Sequence, residues 1–143
     1  MDESTFTQAL GIDVGSKRIG IARVGSVARL PSPLTTVQMD DNAVQKIGAI
    51  AAQNDVDLLV VGLPQNVQGG DTEQSVYSRQ FAVKLEALGI PIVFHDETLS
   101  SKQAEHLIAS GTYKRHETGS PVGLDEVAAC VILNDFLGEK SDI

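Results

Sequence analysis

The sequence predicts a mixed α/β sheet with helices on both faces, on three observations. Ala9 to Arg23 reads as a strand, a tight Gly15-Ser16 turn and a returning partner strand, with Leu34 to Met39 as a third strand. Leu58 to Leu63 is apolar without alternation, as suits a strand covered on both faces, and Ile90 to His95 reads as the next buried strand. Helical spacing fills the intervals between and after them. Antiparallel strands followed by alternating helix and strand units give one five-stranded mixed sheet, with Asp13 on a central strand.

In the first strand, Leu10, Ile12 and Val14 share one face, while Gly11, Asp13 and Gly15 share the other. A carboxylate inside a buried strand is costly unless a cation or hydrogen bonds satisfy it. The plain alternative is a turn carboxylate that accepts backbone N–H bonds from Ser16 or Lys17. After the third strand, Asp40 or Asp41 is expected to cap a helix whose inward positions are Ala43, Val44, Ile47, Ile50 and Ala51. Pro64 to Gly70 is a polar, Gly-rich loop. Asp71 with Gln74 forms a capping-box pattern opening a helix that presents Val76, Phe81, Leu85 and Leu88 and stops at Gly89. The fifth strand ends at Asp96-Glu97. Ser100 with Gln103 opens a short helix, Thr112 to Gly123 is a second loop, and Leu124 to Leu137 is the last helix, with residues 139 to 143 frayed.

The 143 residues suit one domain, so 1–143 is read as a single unit, and 42% apolar content is enough for one core. No apolar run reaches the roughly 18 residues of a membrane span. The start, MDESTFTQ, is too acidic and polar for a signal peptide. A lone cysteine, Cys130, excludes an internal disulfide and fits a reducing cytoplasm. Net charge of −8 argues against a nucleic-acid binder that works by bulk attraction. It does not argue against a nucleic-acid enzyme, because the basic residues cluster. Lys17, Arg18, Arg23 and Arg29 lie in the first strands and turn, and Lys102, Lys114 and Arg115 follow the later acidic motif. Tyr77 and Tyr113 are too few for a base-stacking platform. His106 and His116 have no partner at ligand spacing.

Functional groups in open α/β sheets gather at the carboxyl ends of parallel strands, where Asp13 and the Asp96-Glu97 pair are expected. Neighbours on a strand point to opposite faces, so one of Asp96 and Glu97 can join Asp13 directly. Asp125 lies in the first turn of the last helix, with Ala128 and Ala129 on its face allowing close approach to the sheet. Complementing the helix dipole is its plain alternative, worth about 0.3–1 kcal/mol. Three converging carboxylates repel one another without a cation, and oxygen-only ligands suit Mg²⁺ or Mn²⁺. Such ions activate a water and stabilise the leaving oxygen of a phosphodiester.

These segments resemble the motifs of one family. Gly11-Ile12-Asp13-Val14-Gly15-Ser16-Lys17-Arg18-Ile19-Gly20-Ile21-Ala22 is similar to the first motif of the YqgF family, also called RuvX, a family of pre-16S ribosomal RNA nucleases and Holliday junction resolvase-like proteins. Val60 to Pro64 through Gly69 resembles its second motif. His95-Asp96-Glu97-Thr98-Leu99-Ser100-Ser101 with Ala104 resembles its third, and Asp125 with Ala128-Ala129 and Ile132-Leu133 its last. The resemblance implies a ribonuclease H-like fold, Mg²⁺- or Mn²⁺-dependent endonuclease chemistry and a cytoplasmic role in 5′-end maturation of pre-16S ribosomal RNA. Holliday junction resolution and non-catalytic RNA or ribosome binding are the alternatives. It implies Asp13, Glu97 and Asp125 as catalytic metal ligands with Asp96 close by. From the clustering of basic residues, Lys17, Arg18, Lys102, Lys114 and Arg115 are the expected contacts to nucleic acid. Thr98 departs from the family's usual Arg after the acidic pair. The expected partner is structured nucleic acid, with the protein a monomer or homodimer and no membrane involved.

Overall fold

Alternation along the first strand decides which side of the sheet each helix covers. A computed structural model describes residues 6–64, 70, 72–96, 100–113, 116 and 120–141. In it β1 (Gln8–Val14) buries Leu10, Ile12 and Val14 on one face and Ala9 on the other, the face shared by Gly11 and Asp13. β2 (Arg18–Gly25) returns antiparallel after a turn closed by Gly15 N–H donating to the Arg18 carbonyl at 2.9 Å. β3 (Ser32–Gln38) pairs outside β2, with a register shift at Ile21/Ala22; its Pro33 is tolerable because β3 is an edge strand. β4 (Leu58–Leu63) and β5 (Ile92–Asp96) add in parallel on the other side, giving the order β3-β2-β1-β4-β5. This is the predicted five-stranded mixed sheet, with Asp13 on its middle strand.

α1 (Ala43–Gln53) and α2 (Glu73–Leu85) cover the Leu10–Ile12 face through Ala43, Ile47, Ala51, Phe81, Ala82 and Leu85. α4 (Leu124–Ser141) covers the opposite face, packing Ala129, Ile132, Leu133 and Phe136 on Ala9, Ala22, Val24 and Val60. α3 (Ser100–Ala109) lies against α4, where Ala104 meets Val127 and Ala128. Of the two alanines expected to bring α4 onto the sheet, Ala129 does so, while Ala128 faces α3.

Several local expectations are corrected. Thr72 caps α2: its hydroxyl accepts from Ser75 N–H at 3.1 Å, and Ser75 Oγ accepts from Thr72 N–H at 2.7 Å. Gln74 is therefore free of a capping role and donates instead to the Val14 carbonyl. Asp71, the expected cap, lies outside the described residues. Ahead of α1, Asn42 takes the cap position without a side-chain bond, and Asp40 accepts from Asn42 N–H at 2.9 Å. Val76 points outward, because Ser75 and Ser78 hold the buried stripe of α2. β5 is an edge strand, so Phe94 stays exposed beneath the Arg79 guanidinium while His95 is buried. α4 continues to Ser141, past the expected fraying. Of the two expected loops, residues 65–69, 114–115 and 117–119 lie outside the described set.

Glycines let α4 approach the sheet. A Cβ at Gly20 would stand 1.9 Å from the Asp125 carbonyl oxygen, and one at Gly11 would stand 2.7 Å from that of Ala129. Backbone cannot yield as a flexible side chain can, so Gly20→Ala should lower stability by about 2–3 kcal/mol. Gly138, also in α4, has open space around its Cβ position. Gly138→Ala should raise stability by about 0.5–1 kcal/mol. Denaturant melts of both variants check this packing, and a wild-type midpoint for Gly20→Ala would contradict it.

Candidate active site

The register places one acid pair by backbone geometry alone. Asp13 pairs across the sheet with Gly20, so the two share a face. The first turn of α4 rests on Gly20 at Asp125. Asp125 is thereby held beside Asp13, although the two are far apart in sequence. Burial, and secondarily the Asp125 carboxylate, push the Asp13 carboxyl up from 3.8 to about 6. Asp125 has a compensating neighbour: Arg18 Nε donates to its Oδ2 at 3.1 Å. Half of the Arg18 side chain is open to solvent, so this pair contributes less than about 1 kcal/mol.

The same register separates the two acids at the end of β5. His95 pairs with Gly62 on the α4 face and packs edge-on against Phe136. Asp96 pairs with Leu63 and therefore belongs to the face opposite Asp13. Glu97 lies outside the described residues. Among the described residues, no group of three or more His, Cys, Asp or Glu side chains is assembled to hold a metal ion.

Of the basic residues singled out, Arg18 stands at the acid pair and Lys17 is exposed in the adjoining turn. Lys102 falls in α3, but its side chain is outside the description, as are Lys114 and Arg115. Gln74 ties the start of α2 to the Val14 carbonyl, one residue beyond Asp13.

The spacing of residues concealed a second polar cluster. Glu126 is buried, with Thr36 Oγ1 donating to its Oε2 at 3.0 Å and His116 Nε2 lying 2.5 Å from its Oε1. His116 thus has a partner that no ligand spacing signals. The cluster joins β3, the segment before α4 and the residue next to Asp125. Its only sequence signal is a His ten residues ahead of an acid. Cys130 is core, as its apolar surroundings suggested. Burial pushes its thiol up to about 12, which keeps it neutral and unreactive as a nucleophile.

The raised Asp13 pKa makes a prediction about stability. Folded Asp13 holds its proton up to about pH 6, whereas the unfolded chain releases it near 3.8. Between those values the folded state binds more protons, so this residue's contribution to stability falls as pH rises. Above the window, ionised Asp13 costs about 2–3 kcal/mol. Asp13→Asn should match wild type in acid and become more stable by that amount at neutral pH, in metal-free buffer. Chemical denaturation across the pH range measures the difference; a pH-independent offset would exclude the coupling.

Comparisons with known proteins identify the family and the fold. The RuvX family, described as Holliday junction resolvases, matches residues 7–139. A protein of Synechococcus elongatus named "Putative pre-16S rRNA nuclease" is 38% identical over 141 residues, covering 96% of this chain and 93% of its own length. A protein of the same name from Chloroflexus aggregans is 35% identical over 143 residues, covering 98% of this chain and 97% of its own. Among solved structures, Thermus thermophilus RuvC with a Holliday junction substrate superposes with a TM-score of 0.54 at 16% identity, over 94% of this chain and 96% of RuvC. Fowlpox virus resolvase with Holliday junction DNA gives 0.55 at 12% identity, over 96% of this chain and all of the resolvase. At such identities these likenesses speak for the fold, which is ribonuclease H-like. With a family match over residues 7–139, which takes in the whole sheet, this chain belongs to the RuvX family.

Proposed function

We propose that this protein is a metal-dependent endonuclease of structured nucleic acid, acting in the cytoplasm as a single domain to mature the 5′ end of pre-16S ribosomal RNA. The observation that carries the reading is the partly buried Asp13 carboxyl held beside Asp125, with Asp13 pushed up to about 6. Two anions forced together at a sheet edge are relieved by a cation, and an oxygen-only donor set suits Mg²⁺ or Mn²⁺. Asp13 and Asp125 would hold the metal. Alternation takes Asp96 off their face, which makes Glu97, the next residue in sequence, the proposed third ligand. When bound, such ions supply an activated water and stabilise the leaving oxygen.

The chain's own groups have distinct tasks in this reading. Arg18 balances Asp125 and is exposed enough to turn toward a phosphate. Lys17 extends that positive edge from the adjoining turn, and Lys102, Lys114 and Arg115 are proposed to contact the backbone of the nucleic acid. Gln74 fixes the Val14 carbonyl, so the end of β1 stays in place when charge accumulates beside it. The names of the curated relatives favour ribosomal RNA as substrate. A second reading, Holliday junction cleavage, draws support from the two resolvase structures with bound junctions. It would call for a symmetric dimer, whereas trimming one RNA end needs only a monomer.

Cleavage of a precursor RNA with a 5′ extension, against a four-way DNA junction, tests both with Mn²⁺ present. Asp13→Asn should lower the rate on the true substrate about 10³-fold, equal to about 4 kcal/mol of barrier. Mn²⁺ should raise the wild-type melting temperature and leave that of Asp13→Asn nearly unchanged. Normal cleavage by Asp13→Asn would take Asp13 out of the chemistry, and absence of cleavage of either substrate by the wild type would replace this reading with a non-catalytic RNA-binding one. Replacing Lys114 and Arg115 with Ala should weaken nucleic-acid binding and flatten its salt dependence by up to about two phosphate contacts. An unchanged slope would place the binding surface elsewhere.

A further inference from the structure

Between α3 and α4 lies a cleft of about 540 Å³, within the size range of small-ligand pockets. Gln103 and His106 of α3 line one side, Asn134 of α4 lines the other, and Tyr113 and Leu107 border it above buried Cys130. Tyr113 is not loosely placed: it hydrogen-bonds to Cys130 and packs against the apolar clusters on both sides of α4. Among the described residues, the walls carry no acid or permanent cation. They present two carboxamides, an imidazole and one aromatic ring. Carboxamides offer a donor and an acceptor side by side, as the edge of a nucleobase does, and an aromatic ring offers a stacking face. The same chain segment joins this cleft to the acid pair. Three residues after Tyr113, His116 meets Glu126, the neighbour of Asp125.

We propose that this cleft is a subsite for a single unpaired nucleobase of the substrate, with Gln103 and Asn134 reading the base edge and Tyr113 contacting its face. The proposal rests on the nuclease reading above and adds a preference to it: nucleic acid with an unpaired nucleotide near the cleaved bond is bound better than a fully paired duplex. Two tyrosines cannot make a stacking platform for a long single strand, but one is enough for one base. Because carboxamides and a ring face would read the base rather than the phosphates, the subsite should contribute affinity that does not depend on salt.

The test uses the full chain carrying Asp13→Asn, so that binding is read without turnover. Fluorescence anisotropy compares a hairpin RNA containing one bulged nucleotide with a fully paired hairpin of equal length. Gln103 and Asn134 are exposed, so Gln103→Ala with Asn134→Ala should leave the thermal melt unchanged. The double variant should bind the bulged RNA about tenfold more weakly, the paired one within about twofold, with the salt slope preserved. Tyr113→Leu should act in the same direction on the bulged RNA alone. Equal losses on both RNAs, or no loss on either, would overturn the subsite while the nuclease reading stands. Failure of the parent protein to bind either RNA would overturn the nuclease reading itself.

Discussion

The contact of α4 with the glycines of β1 and β2 is the constraint on which the site depends. A strand pair of ordinary residues would hold a helix roughly a side chain's length away. Gly20 and Gly11 remove that layer, and the backbone of α4 comes within reach of the sheet. Because Gly20 is the cross-strand partner of Asp13, this contact brings Asp125 to Asp13. The core beneath is built for rigidity: Leu10, Ile12, Ile19 and Ile21 are fully buried on the opposite face. Each contributes about 1.5–3 kcal/mol by leaving water, so the middle strands are hard to displace.

That rigidity holds a charge arrangement which is unfavourable by itself. An acid on a buried strand with a second acid beside it raises the free energy of the folded, metal-free protein at neutral pH. The ion pair with Arg18 offsets little of this, because it is largely solvated. Strained electrostatics of this kind are common where a site is organised for a ligand of opposite charge. The surrounding hydrogen bonds are directed at the same end of the sheet. Gln74 holds the Val14 carbonyl, and Thr36 and His116 hold Glu126 next to Asp125. The end of β1 and the start of α4 are each tied to a different neighbouring element.

An acidic protein that works on nucleic acid must place its few cations locally. Arg18 illustrates this, since it stands at the acid pair with half its side chain in solvent. The cleft between α3 and α4, with the carboxamides of Gln103 and Asn134 on its walls, suggests a division of labour in which charges position the backbone and amide groups distinguish the bases.

The sequence by itself determined the strands, the sheet and the identity of the central acid. Those features rest on local pattern: a period of two, an unbroken apolar run, and a carboxylate flanked by glycines where a side chain must be buried. Where the signal was ambiguous, only the tertiary structure decided. An apolar run such as Ile90 to His95 does not say whether its strand is central or at an edge, and the pairing order made β5 an edge. Asp125 in a first helical turn is as consistent with the helix dipole as with a site. Its role as the neighbour of Asp13 follows from where α4 lands, shown by a contact with Arg18 spanning 107 residues. Likewise, no spacing rule pairs His116 with Glu126 or turns Asp96 away from Asp13. Those outcomes depend on helix placement and strand register, which arise from packing across the whole chain and leave little trace in any local stretch of it.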